Sequence, residues 1–406
     1  IEKTEAIQKT ESYRVYPVKQ EALLEEGWEQ PEEESEESGV SSQKSEEKNS
    51  PLSRGVGGVS DLPPLAKGGK GGFSLLKEKF LTGKYEGNKW GGKYLRAPDI
   101  FFTILEKGAH LIDKMSNYFD GERYLNTGGA DGFFIVTEVI PQKNGLFKIR
   151  NDATVKKKEN VFSGLIEEKY LIPTIKDYVK KDKKIVIDGF DAYCLVIDEK
   201  PATIKKTYAY EYIKWGENQG YHHRSVTKSQ KPWYKPTRQM LHSSQILVPR
   251  SFYDRHVIHY NPNNYLSLRF YRLHLKRGST PLLIAFLNTT YISLFLETLG
   301  NKSLGQGVLD FFMADFLNLR IPIILDEALL KPFEEFKKRN LRPLLDELGI
   351  NPALPIREQK PNPLPDRKAL DDIIFDILGL TEDERNEVYW AVCELVKNRL
   401  EKARSV

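Results

Sequence analysis

Eleven lysines and arginines stand between Lys200 and His256: Lys200, Lys205, Lys206, Lys214, Arg224, Lys228, Lys231, Lys235, Arg238, Arg250 and Arg255. Only three carboxylates oppose them, Glu211, Glu217 and Asp254. Nine aromatic residues are interleaved: Tyr208, Tyr210, Tyr212, Trp215, Tyr221, Trp233, Tyr234, Phe252 and Tyr253. Cations neutralise phosphates without reading sequence, whereas Arg, Gln and aromatic groups reach base edges or stack on exposed bases. A basic, aromatic-rich segment is therefore a candidate nucleic-acid surface. The competing reading is a core filled by the aromatics and covered by the lysines.

Other residues invite other chemistries. Asp188 or Asp191, followed by Asp198-Glu199-Lys200, has the order of a metal-dependent nuclease core. That chemistry needs two carboxylates on Mg²⁺ and a lysine near the attacking water. Such patterns arise by chance where 29% of residues are charged, and turn carboxylates with a solvated lysine are the alternative. His222 and His223 adjoin, and His242, His256 and His259 follow. Adjacent histidines point to opposite sides of a strand and no Cys-x-x-Cys or His-Glu-x-x-His accompanies them, so surface or DNA-facing histidines are expected and no metal. KGGKGG lacks the GKS/T ending and the preceding apolar strand of a phosphate loop.

The net charge of +4 is unevenly spread: nine glutamates from Glu21 to Glu37 leave +13 on everything else. A basic body with one acidic strip suits a polyanion better than a membrane. No apolar run approaches the ~20 residues of a transmembrane helix. Cys194 and Cys393 lie far apart, which implies no disulfide framework and fits a reducing cytoplasm. The first residue is Ile, so a piece of a longer or processed chain is expected.

The elements that must position these residues can be read in order. From Pro31 to Gly72 an acidic, Ser-rich tract passes into a stretch with eight glycines and no aromatic residue from Gly39 to Gly72, which reads as a disordered linker. Pro98 opens a helix with Ile100, Phe101, Ile104 and Leu105 on one face. Alternating, Gly-punctuated strand segments follow, with KKIVIDGF and AYCLVID read as two strands joined at Gly189 to Ala192. PLLIAFLNTTYISLFLETLG reads as one apolar helix closed by Gly300, and a short helix is expected from about Val308. Thr381 and Glu384 form a capping box for the last helix. The C-terminal helices could pack on a partner through Ile374, Ile377, Val388 and Val392, giving a protein-interaction scaffold as a further class. The fold class is α+β: a mixed, largely antiparallel sheet domain with helices over 73–330, then a helical C-terminal segment over 331–406.

The series NKWGGKYLRAPDIFFTILEKG, LNTGGADGFF, EEKYLIPTIK, IKWGENQGYHHRSVTKSQKPWY, ILVPR and FLNTTYISLFLETLGNKSLGQGVLDFFMADFLNLRIPI resembles one family. It is similar to the target-recognition region that follows the catalytic domain in N6-adenine DNA methyltransferases of bacterial restriction–modification systems. SYRVYPVKQEALLEEGW resembles the segment leaving that catalytic domain, which makes 1–30 an exit segment. The resemblance implies that the chain binds double-stranded DNA and reads a short site for an upstream or partner methyltransferase domain. S-adenosylmethionine is expected in that missing domain and no cofactor in this chain. The family's Asn/Asp-Pro-Pro-Tyr/Phe tetrapeptide holds the flipped adenine. NPNNY at Asn261 to Tyr265 has Asn263 where the second proline belongs, and NTGGADG lacks the strand–loop–helix setting of a cofactor loop. DNA contacts are expected from Thr127, Gly128 and Gly129, from Arg224, Lys228, Lys231, Lys235, Arg238 and Arg250, and from Asn301, Ser303, Gly305 and Gln306. Trp233 and Tyr234 either anchor their loop or touch sugar and bases. The glycines before Val308 either form a tight turn or let backbone N–H groups at a helix start approach a phosphate.

Overall fold

Helix α1 (Asp99–Lys107) buries Ile100, Phe101 and Ile104, with Leu105 half-buried beside them, and it carries Asp99 in its first turn and Lys107 in its last, as the helix dipole favours. The computed structural model describes residues 96–123, 127–151, 161–177, 184–237, 241–302, 307–322 and 326–404, plus four short strands before them. The chain divides into two units, 1–95 and 96–406. In the first, β1 (Gln8–Lys9) pairs antiparallel with β2 (Arg14–Val15), and β3 (Trp28–Glu29) with β4 (Lys84–Tyr85). The expected linker over 31–72 lies outside the described residues.

The second unit is α+β. In chain order it holds β5 (Ile112–Lys114), β6 (Phe119–Glu122), α2 (Asp131–Phe134), β7 (Ile135–Val136), β8 (Glu138–Pro141), β9 (Leu146–Asn151), β10 (Phe162–Glu167), β11 (Leu171–Ile175) and β12 (Ala192–Leu195). Next come α3 (Pro201–Ile204), α4 (Ala209–Asn218), β13 (Ile246–Pro249), β14 (Ser251–Phe252), β15 (His259–Tyr260), β16 (Leu266–Ser267) and β17 (Phe270–Leu275). The chain then forms α5 (Thr280–Leu287), α6 (Thr290–Leu299), β18 (Leu309–Asp310), α7 (Met313–Leu317) and β19 (Arg320–Pro322). It closes with α8 (Leu330–Phe336), α9 (Leu344–Glu347), α10 (Pro365–Ile377) and α11 (Glu382–Arg404).

The sheets run β10-β9-β8, β16-β11-β12-β7 and β15-β13-β17-β6, with the pairs β14-β18 and β19-β5. All of these ladders are antiparallel except β11 with β16. One core gathers α1, α5, α6 and the helices from α8 to α11 against the β15-β13-β17-β6 sheet. A second core, from Ala130 to Leu268, is packed by α2, α3, α4 and the strands β7 to β12 and β16. It carries the basic segment.

Three expected elements differ. The described residues of KKIVIDGF form no strand: Val186 makes an isolated parallel bridge to Tyr260, and β12 pairs instead with β11 and β7. The apolar helix is two helices, α5 and α6, bent by 62°. Asn288 breaks it, because its side chain bonds the Ile258 N–H and carbonyl and the Ile284 carbonyl, while Thr290 N–H and hydroxyl turn to Asp371 at 2.7 and 2.6 Å. Among the described residues no single helix is long and apolar enough to cross a membrane. No helix begins at Val308: Leu309 and Phe311 are buried, Asn301 pairs with Asp310, and the next helix starts at Met313. Among the described residues after Gly300 the first helix N-terminus is therefore at Met313.

The C-terminal helices share the first core. Ile374, Val388 and Val392 are buried there and Ile377 packs against it, so the face considered for a scaffold partner is covered by its own chain. The capping box forms as expected: Glu384 accepts from Thr381 N–H at 2.7 Å and Thr381 Oγ1 accepts from Glu384 N–H at 3.3 Å.

Candidate nucleic-acid interface

Thr127, Gly128 and Gly129 form a turn that enters α2. The Thr127 hydroxyl donates to Asp131, and the α2 backbone is held by Asn151, whose amide donates to the Gly132 carbonyl at 2.6 Å, and by Tyr212, whose hydroxyl donates to the Phe133 carbonyl at 2.7 Å. Gly128 and Gly129 have φ of 61° and 86°. That backbone suits glycine because it has no Cβ to clash. Gly128 also lies against the basic loop: a Cβ there would meet Val226 Cγ2 at 2.4 Å and the Val226 backbone nitrogen at 2.6 Å. Ser225 Oγ donates to the Gly128 carbonyl at 3.2 Å. The structure thus joins the TGG turn to the segment containing Arg224 and Lys228, although about 97 residues of chain separate them.

These contacts separate the two glycines. Gly128→Ala should cost well over the ~1–2 kcal/mol of a strained left-handed residue, because Val226 backbone stands in the way. Gly129→Ala meets nothing within 4 Å and should cost only the strain. Amide hydrogen exchange across 224–230 should accelerate in Gly128→Ala and stay near wild type in Gly129→Ala.

The basic loop is built from turns. Tyr221–His223 and Thr227–Ser229 are single 3₁₀ turns, and buried Thr227 ties them by donating to backbone carbonyls of Tyr221 and Arg224. The aromatics of this segment mostly form its floor, as the competing reading held. Tyr212, Tyr221, Tyr234 and Phe252 are buried, while Trp215 and Trp233 are half-buried and Tyr208 and Tyr253 are exposed. Trp233 packs on Phe133 with ring centroids 4.6 Å apart and donates Nε1–H to Glu217 at 3.1 Å. The Tyr234 hydroxyl donates to the Glu199 carbonyl at 3.1 Å. Both therefore anchor the loop.

Cations divide more sharply. Lys214 pairs with Glu217 at 2.8 Å, Lys235 with Asp198 at 2.6 Å and Arg255 with Asp254 at 2.8 Å, while Arg250 faces Asp310 at 3.8 Å. Lys200, Lys205, Lys206, Arg224, Lys228 and Lys231 are exposed and make no ion pair with any described residue. Arg238 lies outside the described residues, as do Ser303, Gly305 and Gln306. Asn301 and Arg250 meet at Asp310, next to Leu309 of the first core.

Sequence reasoning missed Arg272. This guanidinium is fully buried in β17, donates to the carbonyls of His242 and Arg123, and lies 3.2 Å from Glu122. It links the chain just before the TGG turn to the chain just after the basic loop. Glu122 also meets His242 and His274, each at 3.1 Å. A lone arginine inside an apolar strand pattern was the available signal.

The nuclease carboxylates are engaged by other partners. Asp191 accepts from the backbone N–H of Lys176 and Asp177, Asp198 pairs with Lys235, and Glu199 accepts from Lys169 and Tyr170. Among the described residues no group of three His, Cys, Asp or Glu side chains could hold a metal. His256 and His259 are not surface groups: His256 is buried against Glu297 at 3.0 Å, and His259 Nδ1 lies 3.0 Å from the Lys184 carbonyl. A buried histidine is retained by such a bond. Asn261 of NPNNY is fully buried, its side chain bonded to Ser244 and Tyr265, and α2 after the TGG turn is four residues long.

Residues 114–346 match the family described as the C-terminal domain of Type II methyltransferase M.Eco57I. No curated protein matches the chain. Among solved structures, a structure of the Type IIL restriction–modification enzyme MmeI in complex with DNA matches with a TM-score of 0.40 and 16% identity, covering 72% of this chain and 37% of that one. The chain spans little more than a third of that enzyme chain's length. The family match takes in more than half of the 406 residues, and the chain belongs to the family of Type II methyltransferase M.Eco57I C-terminal domains.

Proposed function

We propose that the chain binds duplex DNA, reads a short sequence, and positions the site for adenine-N6 methylation by an upstream or partner catalytic domain. The observation that carries this reading is the joined surface of the TGG turn and the basic loop. There Arg224, Lys228 and Lys231 are exposed and lack internal ion pairs, while cations close by are neutralised. Unneutralised cations on an anchored loop favour phosphate and base contacts over intramolecular ones. S-adenosylmethionine belongs to the catalytic domain in this reading.

Arginine forks read guanine edges, whereas lysine acts on phosphate as a point charge. Arg224→Ala should therefore relax the sequence preference, at about 1–3 kcal/mol for a good bidentate base contact, and Arg238→Ala likewise. Lys228→Ala should weaken all sequences alike and lower the salt slope by about one. Lys235→Ala should change the slope less, because Asp198 already neutralises it. Selection of bound duplexes from a randomised library, followed by sequencing, measures both effects. Uniform loss in the arginine variants with an unchanged preferred site would overturn the division.

A further inference from the structure

Donors outnumber acceptors just beyond the end of α6. Arg96 Nη2 donates to the Gly300 carbonyl at 3.1 Å. The Asn301 amide nitrogen is buried without an acceptor. Lys302 is half-buried, and its ammonium has neither hydrogen bond nor ion pair to a described residue. The charged groups facing it are Glu297 from α6, Arg96 from the lead into α1, and Arg399 and Lys402 from α11. Glu297 is the single negative charge of this set, and its carboxylate is already bound by Arg399 through both oxygens and by His256.

A half-buried ammonium beside further cations is costly unless an anion completes the set. Burial lowers the proton affinity of Lys302, Glu297 raises it, and Arg96, Arg399 and Lys402 lower it again, leaving the pKa at about 8. A lysine that merely covered apolar surface would hold its charged end in water.

We propose that Lys302, with Arg96 beside it, forms an anion site that accepts a phosphodiester oxygen of the DNA backbone. The proposal rests on the DNA-binding reading above and adds a second contact region in the first core, away from the basic loop. A phosphate supplies a negative charge and an acceptor for the Lys302 ammonium, so its arrival raises the proton affinity of Lys302. At about pH 8 the free amine is about half protonated, and DNA binding there draws in up to about half a proton. Affinity accordingly falls as pH rises past that point.

The test uses the 406-residue chain with Lys302→Met and Lys302→Arg. Anisotropy of a labelled duplex gives the salt slope between ~50 and ~200 mM, and calorimetry at about pH 8 in two buffers of different ionisation heat gives the proton uptake. Lys302→Met should lower the slope by about one and abolish the uptake. Lys302→Arg should keep the slope and abolish the uptake, because arginine stays protonated. Wild-type slope and uptake in Lys302→Met would overturn the site while leaving DNA recognition standing. Failure of the wild-type chain to retain DNA at ~50 mM salt is a separate outcome; it overturns the DNA reading and the phosphodiester with it.

Discussion

Raising salt from ~50 to ~200 mM should lower the affinity of the chain for duplex DNA by roughly 10³-fold. Outside the Glu21 to Glu37 strip the chain carries +13, and the candidate interface contributes Lys200, Lys205, Lys206, Arg224, Lys228 and Lys231 without internal ion pairs. If the five lysines contact phosphates, each releases counterions with a slope near 0.9, and a total slope of about 4.5 over a fourfold salt range yields a loss approaching roughly 10³. Lys214, Lys235 and Arg255 should add little, because each already faces a carboxylate within 3 Å. Anisotropy titrations at four or more salt concentrations measure the slope. A flat profile would contradict the interface.

Glu297→Gln should destabilise the second unit by about 3–5 kcal/mol, the usual cost of removing one member of a buried charge set. Glu297, His256 and Arg399 are all buried; Arg399 Nε lies 3.0 Å from one carboxylate oxygen and His256 3.0 Å from the other. Arg399 also donates to the carbonyls of Gly307 and Tyr253, so the same guanidinium fastens α11 to α6 and to the β14–β18 pair. Burial alone would raise the Glu297 pKa, but hydrogen bonds and charge from His256 and Arg399 outweigh it and hold it at about 2. A depressed carboxyl pKa stabilises the fold above the unfolded value, ordinarily 4.5, and that contribution is lost as pH falls toward 2. The gap between wild type and Glu297→Gln in chemical denaturation should therefore be full at neutral pH and shrink below about pH 4.5. An equal gap at pH 3 would mean that packing, not charge, underlies it.

The second buried set makes the C-terminal helices part of the same core. Arg339 bridges Glu347 and Asp366, Arg367 reaches Glu347 at 2.9 Å, and Asp371 accepts from both the N–H and the hydroxyl of Thr290. In sequence these are ordinary charged residues of amphipathic helices. Their pairing became visible only where α10 crosses the break between α5 and α6.

Local chemistry was legible wherever partners lie within a few residues. Pro98 and the face of Ile100, Phe101 and Ile104 specify α1, and Thr381 with Glu384 specifies the start of α11, because both signals act over three or four residues. Charge was legible too, since the crowding of cations from Lys200 to His256 needs no fold to be counted. Tertiary structure decided which of those cations are unneutralised, because Asp198 reaches Lys235 only once β12 and the basic loop pack on one core. It also decided that Gly128 serves the loop of Val226, and that the apolar stretch from Thr280 to Leu299 bends at Asn288 to bond Ile258. Spacing in the chain carries information about neighbours in the chain; a buried side chain's hydrogen bonds are completed by whichever distant strand the core brings to it.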